Sequence, residues 1–306
     1  MNPTRLVVFA ALAVFAALCA RSPGRTLIYL RFLLLGLAAT VVLAPFAWLL
    51  AAIFKDRTVF DEYLFLPPPA EWSSRTLNLD NFRELFRGRP SVHGTAYFWQ
   101  YVLNSTAYAT VSTVLNLFFC SLGGFALAKY DFRGKAALLV LMLGSMTIPS
   151  ALLLPPLYNM VVDLGMVDSL TGLIVPGMVS AYGIFLFRQA CMSVPDEMLD
   201  AGRIDGCSEI AIYFRLVMPL VRPMAAAFCL MTFLGTWNSF FTPNVFLQTQ
   251  KNFTLPIVLY MYVNDYQSNY GVFLAGTALA MLPPMVLFLA LEKEFISGLT
   301  SGAVKG

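Results

Sequence analysis

The chain has 306 residues, 58% of them hydrophobic and 12% charged, with a net charge of +3 and a mean hydropathy of +0.72, values outside the range of soluble globular proteins. Its basic residues lie in short clusters between apolar runs and not along one face, so nucleic-acid binding is not indicated. Cys19, Cys120, Cys191, Cys207 and Cys229 form no CxxC pair, which argues against a disulfide scaffold or a metal ribbon and leaves a polytopic membrane protein.

Residues 1–25 read as an N-terminal extension. Leu6 to Ala20 would reach about 22 Å as a helix, short of a hydrocarbon core of about 30 Å, and Arg21 and Arg25 stand where a signal cleavage site favours neutral residues. A membrane domain follows over 26–306. Its first span is 27–54, and Arg21, Arg25 and Arg31 before it place its start in the cytoplasm. The segment from Lys55 to Tyr97 is a charge-balanced polar loop, suited to the outer side. It holds His93, the only histidine, which reads as solvated.

Further spans are expected at 98–128, 136–154, 170–187, 219–247 and 271–291, with an interfacial stretch from Pro155 to Ser169. Lys129, Arg133, Lys135 and Arg188 mark cytoplasmic ends, so the N- and C-termini of the six-span domain both face the cytoplasm. A polar island at 193–219 interrupts the apolar runs on that same side. Ser193 and Asp196 have the spacing of a capping box, Gly206 is a helix stop, and Ser208 caps the next helix. The short helix between has small residues, Ala201 and Gly202, among Asp200, Arg203 and Asp205, and suits close approach by another protein. The nine-residue tail, Gly298 to Gly306, lacks a hydrophobic pattern and is expected to be flexible.

The island, read from Asp200 through Ala201, Gly202 and Gly206 to Leu216, Met218 and Pro219, resembles the Glu-Ala-Ala loop of the membrane subunits of bacterial ABC importers. Asp200 stands in place of Glu and Gly202 in place of the second Ala. ALAKYDFRGK (Ala126 to Lys135), FLFRQ (Phe185 to Gln189), TWNSFF (Thr236 to Phe241) and GLTSGAVKG (Gly298 to Gly306) resemble the carbohydrate-uptake, maltose-type branch, and within it the second of two paired permeases. Ser239 replaces an acid common in relatives.

The resemblance implies an all-α, type I importer permease fold of six transmembrane helices with a cytoplasmic coupling helix, in a bacterial inner membrane. It implies ATPase docking through Asp200, Ala201, Gly202, Arg203, Asp205, Gly206 and Pro219. A tail reaching the ATPase through Ser301, Gly302 and Lys305 is implied as well. The expected partners are a second permease, an ATPase dimer, an extracytoplasmic solute-binding protein and membrane lipid.

No cofactor is expected in this chain. Gly134 and Lys135 fail the GxxxxGK[ST] pattern, so ATP and Mg2+ belong to the partner and the chain itself is not an enzyme. Polar and aromatic residues inside spans, Asn104, Ser105, Asn116, Trp237 and Asn238, are candidates to line a carbohydrate pathway, because amides pair with hydroxyls and aromatic faces stack on sugar rings. Asn104 and Asn116 are equally suited to bonding between helices, whereas Trp237 and Asn238, mid-span and within the TWNSFF piece, suit the pathway better. The alternative of an ion-coupled secondary transporter lacks the intramembrane carboxylates or histidines that such proteins use. The carbohydrate, or a glycerol phosphate in its place, is not specified by these residues.

Overall fold

The computed structural model describes residues 26–91, 94–264 and 266–303, and the side chains at 28–90, 94–263 and 270–294. The N-terminal extension, His93 and Lys305 lie outside the described residues, as do the side chains of Ser301 and Gly302. The chain divides into two compact units, one ending at Asn81 and one beginning at Phe82.

The first unit is dominated by α1, Thr26–Ala52. Its side chains are exposed almost without interruption from Ile28 to Phe46, which suits hydrocarbon and not water. The polar segment after it is more ordered than its composition suggested. Lys55 is buried and donates Nζ to the carbonyls of Phe60 at 3.2 Å and Tyr63 at 2.6 Å. Asn78 donates to Asp56 at 3.1 Å, and Asn81 to the Ile53 carbonyl at 2.9 Å. Side chains thus tie this backbone together where no long helix does.

In the second unit, the end of α2 (Asp80–Phe86) leads to a hairpin of β1 (Arg89–Ser91) and β2 (Gly94–Ala96), paired antiparallel. The long α3, Phe98–Lys129, follows. Next come α4 (Lys135–Ser145), α5 (Ser150–Asp163), α6 (Leu170–Ile174), α7 (Ala181–Met192), α8 (Asp196–Ile204) and α9 (Glu209–Ile212). The last group is α10 (Arg222–Trp237), α11 (Phe241–Phe246), α12 (Leu255–Asn264), α13 (Tyr266–Ala280) and α14 (Leu282–Ala303).

Among the described residues, three helices are long and apolar enough to cross a membrane, and up to six spans result if each of three bent pairs is one span. The expected six-helix architecture is therefore present, with breaks inside runs that the sequence reading took as continuous. The 136–154 run is two helices, α4 and α5, bent by 103° before Pro149, and α5 continues through Pro155 and Pro156 over the stretch read as interfacial. The 170–187 run bends by 46° between Gly177 and Ala181, directly after the 3-10 turn of Val175–Gly177. The 219–247 run bends by 82° at Val221 and ends as a helix at Trp237, with Pro223 depriving residue 219 of its helical donor. Helix α14 continues into the tail as far as Ala303.

The second unit packs around α3. A Cβ added at Gly124 would meet the Phe187 Cβ at 2.5 Å and the Arg188 backbone N at 2.6 Å, so α3 and α7 touch through a residue with no side chain. At the far end of α3, Asp168 adopts φ 57° and accepts from the backbone N of Gln248 and of Thr249, each at 2.9 Å. That carboxylate fastens the turn before α6 to the turn after α11.

Candidate functional site: the α8 helix and the Trp237 cavity

Pro195, extended at φ −61° and ψ 137°, is the residue that opens α8, and Asp196 and Glu197 occupy its first turn as the helix dipole favours. The expected capping box does not form. Ser193 belongs to the end of α7, where its Oγ donates to the Ala190 carbonyl at 2.7 Å. The stop is as expected. Gly206 sits at φ 79° and donates to the Arg203 carbonyl at 3.0 Å, while Cys207 donates to the Gly202 carbonyl at 2.9 Å, the two bonds of a Schellman turn. Ser208 then caps α9 by accepting from the Ala211 N at 3.3 Å.

One face of α8 is anchored. Leu199 is buried with Phe125, Ile212, Tyr213 and Val217, and Gly202 is buried so tightly that a Cβ there would lie 2.9 Å from Leu216. Beyond α9 the helix widens into a π turn, Tyr213–Val217, which turns Tyr213 and Val217 into the same core.

Charges brace α8 on both sides. Lys129, at the end of α3 with only 5% of its side chain exposed, pairs with Asp196 at 2.6 Å, and that bond holds the Asp196 carboxyl below its usual range. Arg203 reaches Glu209 and Asp200, each at 2.8 Å, and both acids raise its pKa further. The Tyr130 hydroxyl donates to Glu209 as well, so the KYDFRGK segment after α3 closes on the island.

The residues expected to dock a partner separate into distinct roles. Asp200, Ala201, Arg203, Asp205 and Gly206 lie on the exposed side; Gly202 faces inward and Pro219 stands apart at the α10 break. Lys129, Tyr130 and Glu209 were missed as site residues, although two of them lie in the quoted KYDFRGK piece. Ile204 was missed too; at 87% it is the most exposed large apolar side chain among the described residues.

The pathway candidates divide in a similar way. Asn104 donates to the carbonyls of Lys251 at 2.8 Å and Phe253 at 3.0 Å, and Ser105 accepts from the Leu255 N at 2.7 Å. Asn116 donates to the carbonyls of Ser112 at 3.1 Å and Gly177 at 2.6 Å. Trp237 donates Nε1 to the Ala280 carbonyl at 3.2 Å, an acceptor left without its helical donor because residue 284 is proline. Trp237 and Asn238 line a cavity of about 410 Å3 with Leu255, Leu259, Thr277 and Met281. Among the described residues, no group of His, Cys, Asp and Glu could hold a metal ion.

Residues 120–293 match the family described as "Binding-protein-dependent transport system inner membrane component". The chain is 40% identical over 232 residues to the arabinooligosaccharides transport system permease protein AraQ of Bacillus subtilis, covering 76% of this chain and 80% of AraQ. It is 32% identical over 277 residues to the melibiose/raffinose/stachyose import permease protein MelC of the same organism, covering 90% and 95%. Its fold is similar, at a TM-score of 0.75 and 20% identity, to a chain of a bacterial ABC transporter involved in the import of the acidic polysaccharide alginate, covering 89% of this chain and 97% of that one. The comparisons lend no support to an ion-coupled transporter. The chain belongs to the family of inner membrane components of binding-protein-dependent transport systems, and is a permease subunit of an ABC importer, not an enzyme.

Proposed function

We propose that this chain is the second of two paired permeases in a carbohydrate importer, and that α8 is the coupling helix that receives a partner ATPase dimer on the cytoplasmic side. The observation that carries the docking role is the bracing of α8: a nine-residue exposed helix held by a buried leucine, a Schellman turn and ion pairs to two neighbouring segments. A helix so fixed passes a push from a partner to α3 and α10 as rigid-body motion. ATP and Mg2+ reside on that partner, and a solute-binding protein delivers the substrate at the opposite face.

The cytoplasmic placement of α8 and of both ends of the domain rests on the arginine and lysine clusters. Ser301, Gly302 and Lys305 are assigned to contact the ATPase pair. Trp237 and Asn238 are assigned to the pathway, and their cavity falls within the size range of small-molecule sites. No lysine or arginine is among its lining residues, which favours a neutral sugar or oligosaccharide over a glycerol phosphate. The sugars in the names of AraQ and MelC support the same choice.

The test is uptake by proteoliposomes holding this chain with its second permease and ATPase, supplied with the solute-binding protein and labelled arabino-oligosaccharide or raffinose. Accumulation that requires internal ATP is expected. Accumulation driven by a proton or sodium gradient without ATP would overturn the reading.

A further inference from the structure

A second cavity, of about 180 Å3, lies at the opposite end of α3 from Lys129. Its walls are β1 through Arg89, the start of α3 through Tyr101, the turn at Gln250–Asn252, and α12 through Val258, Met261 and Tyr262. The Arg89 guanidinium lies 4.1 Å from the centre of the Tyr262 ring, and Asn252 ties the Gln250 turn to the Asp168 carbonyl at 2.7 Å. Tyr101 is 6% exposed and Tyr262 3%, yet neither hydroxyl has a hydrogen-bond partner among the described residues. Buried hydroxyls are normally paired. Among the described residues, the polar atoms shut off without a partner are Arg188 Nε and Thr254 Oγ1, so the two tyrosine hydroxyls are not sealed in but open on the cavity they line.

Each phenol both donates and accepts, as does the Gln250 amide, while Val258 and Met261 add apolar surface. A ligand with hydroxyls at its edge and C–H groups on its face meets both. Burial raises the Tyr262 pKa, Arg89 opposes the rise and Glu84 adds to it, so a carboxylate as well as a guanidinium bears on the site and a simple anion is not favoured. The volume is that of about six waters, room for one sugar ring and not for a chain of them. We propose that this cavity is a saccharide subsite, holding one ring of the substrate at the extracytoplasmic end of α3 through the hydroxyls of Tyr101 and Tyr262 and the amide of Gln250. The inference rests on the importer reading above and adds a second place where its substrate is held. The Trp237 cavity shares α12 as a wall, through Leu255 and Leu259, so a ring released here is already beside the pathway.

The experiment uses the complete complex in nanodiscs, cysteine-free except for Met261→Cys, without the solute-binding protein. The rate of maleimide labelling at that cysteine is measured with arabinotriose, with raffinose and with inorganic phosphate. Either sugar should slow labelling several-fold at saturation, and phosphate should not. Tyr101→Phe and Tyr262→Phe should each raise the sugar concentration for half-protection by about 2- to 10-fold, the range for one hydrogen bond. Since neither hydroxyl has a partner among the described residues, the thermal midpoint should stay unchanged in both variants. Protection by neither sugar, protection by phosphate alone, or a lowered midpoint with sugar protection intact would each overturn the subsite. ATP-driven uptake by the same complex is scored separately. Uptake that requires ATP without sugar protection would leave the importer reading standing and remove the subsite, whereas sugar protection with ATP-independent uptake would do the reverse.

Discussion

The island around α8 and the helices lining the Trp237 cavity dispose of their polar groups in opposite ways. At the island, charged residues remain at the surface and bond to one another: Arg203 to Asp200 and Glu209, Asp196 to Lys129. Ile204 stands out beside them as an apolar side chain 87% exposed. Inside the spans, by contrast, the amides are spent on backbone: Asn104 on the turn before α12, Asn116 on the turn before α7. Of the pathway candidates, Asn238 is the one left exposed, at the cavity wall, its amide donating within its own helix to the Leu234 carbonyl at 2.9 Å. A polar residue in an apolar run therefore marks a broken helix as readily as a pathway, because each break frees carbonyls that lipid cannot satisfy.

The largest effect that would test this contrast lies at the junction between the two regions. Gly124→Val puts side-chain atoms where the α7 backbone already stands, within 2.6 Å of an added Cβ, and backbone cannot move aside as a side chain can. Separation of α3 from α7 should abolish a monodisperse, ATPase-bound complex, read by size-exclusion chromatography in detergent. Gly206→Val should act more selectively. Nothing lies within 4 Å of an added Cβ there, so the cost is the left-handed backbone at φ 79°, about 1–2 kcal/mol and confined to the turn. Normal membrane levels with ATPase association lost is the expected result, measured by co-purification. Full association by Gly206→Val would mean that the α8 end need not be held rigid.

Much of this arrangement was legible in the sequence because it is local. The helix stop at Gly206, the cap at Ser208 and the number of spans follow from spacing and hydropathy over a few residues. Ser193 was misread because two serine-or-proline starts compete within three residues, and the end of α7 claims the hydroxyl first. The bends were missed because hydropathy does not change at Pro149 or Pro223, while the hydrogen-bond ladder does. The tie between Tyr130 and Glu209 spans 79 residues of sequence, and no periodicity reports a contact of that kind. Ile204 is the reverse case: its place opposite Leu199 was computable from the helical repeat, but only the exposure makes it stand out.

A smaller effect separates the two kinds of asparagine. Asn104→Ala leaves the carbonyls of Lys251 and Phe253 without donors and should cost about 1 kcal/mol, the usual scale for such bonds between membrane helices. A lower thermal midpoint with transport per folded complex unchanged is the expected outcome. Asn238→Ala gives up one bond within its own helix and should leave the midpoint unchanged while altering the KM for sugar. The converse pattern, with Asn104→Ala altering KM at constant midpoint, would move the pathway to the α3 side.

The smallest effect concerns pH at the island. Hydrogen bonding from Lys129 holds the Asp196 carboxyl below the usual 3.8, so the pair favours the folded island above that value and the contribution disappears as pH falls through the lowered one. Between about pH 5 and 8 the clasp should thus be constant, since both the folded and the unfolded values lie below that window. Asp196→Asn removes the charge at every pH and leaves the nearly buried Lys129 ammonium to the backbone carbonyl of Val194. Its consequence is local, because Leu199 and the Schellman turn still hold the helix. Amide hydrogen exchange in α8, corrected for intrinsic rates, should be flat across that window in the unaltered protein and a few-fold faster in Asp196→Asn, on the order expected for losing one partly exposed ion pair. A change in the unaltered protein between pH 5 and 8 would assign the bracing to a group that titrates there, which Asp196 does not.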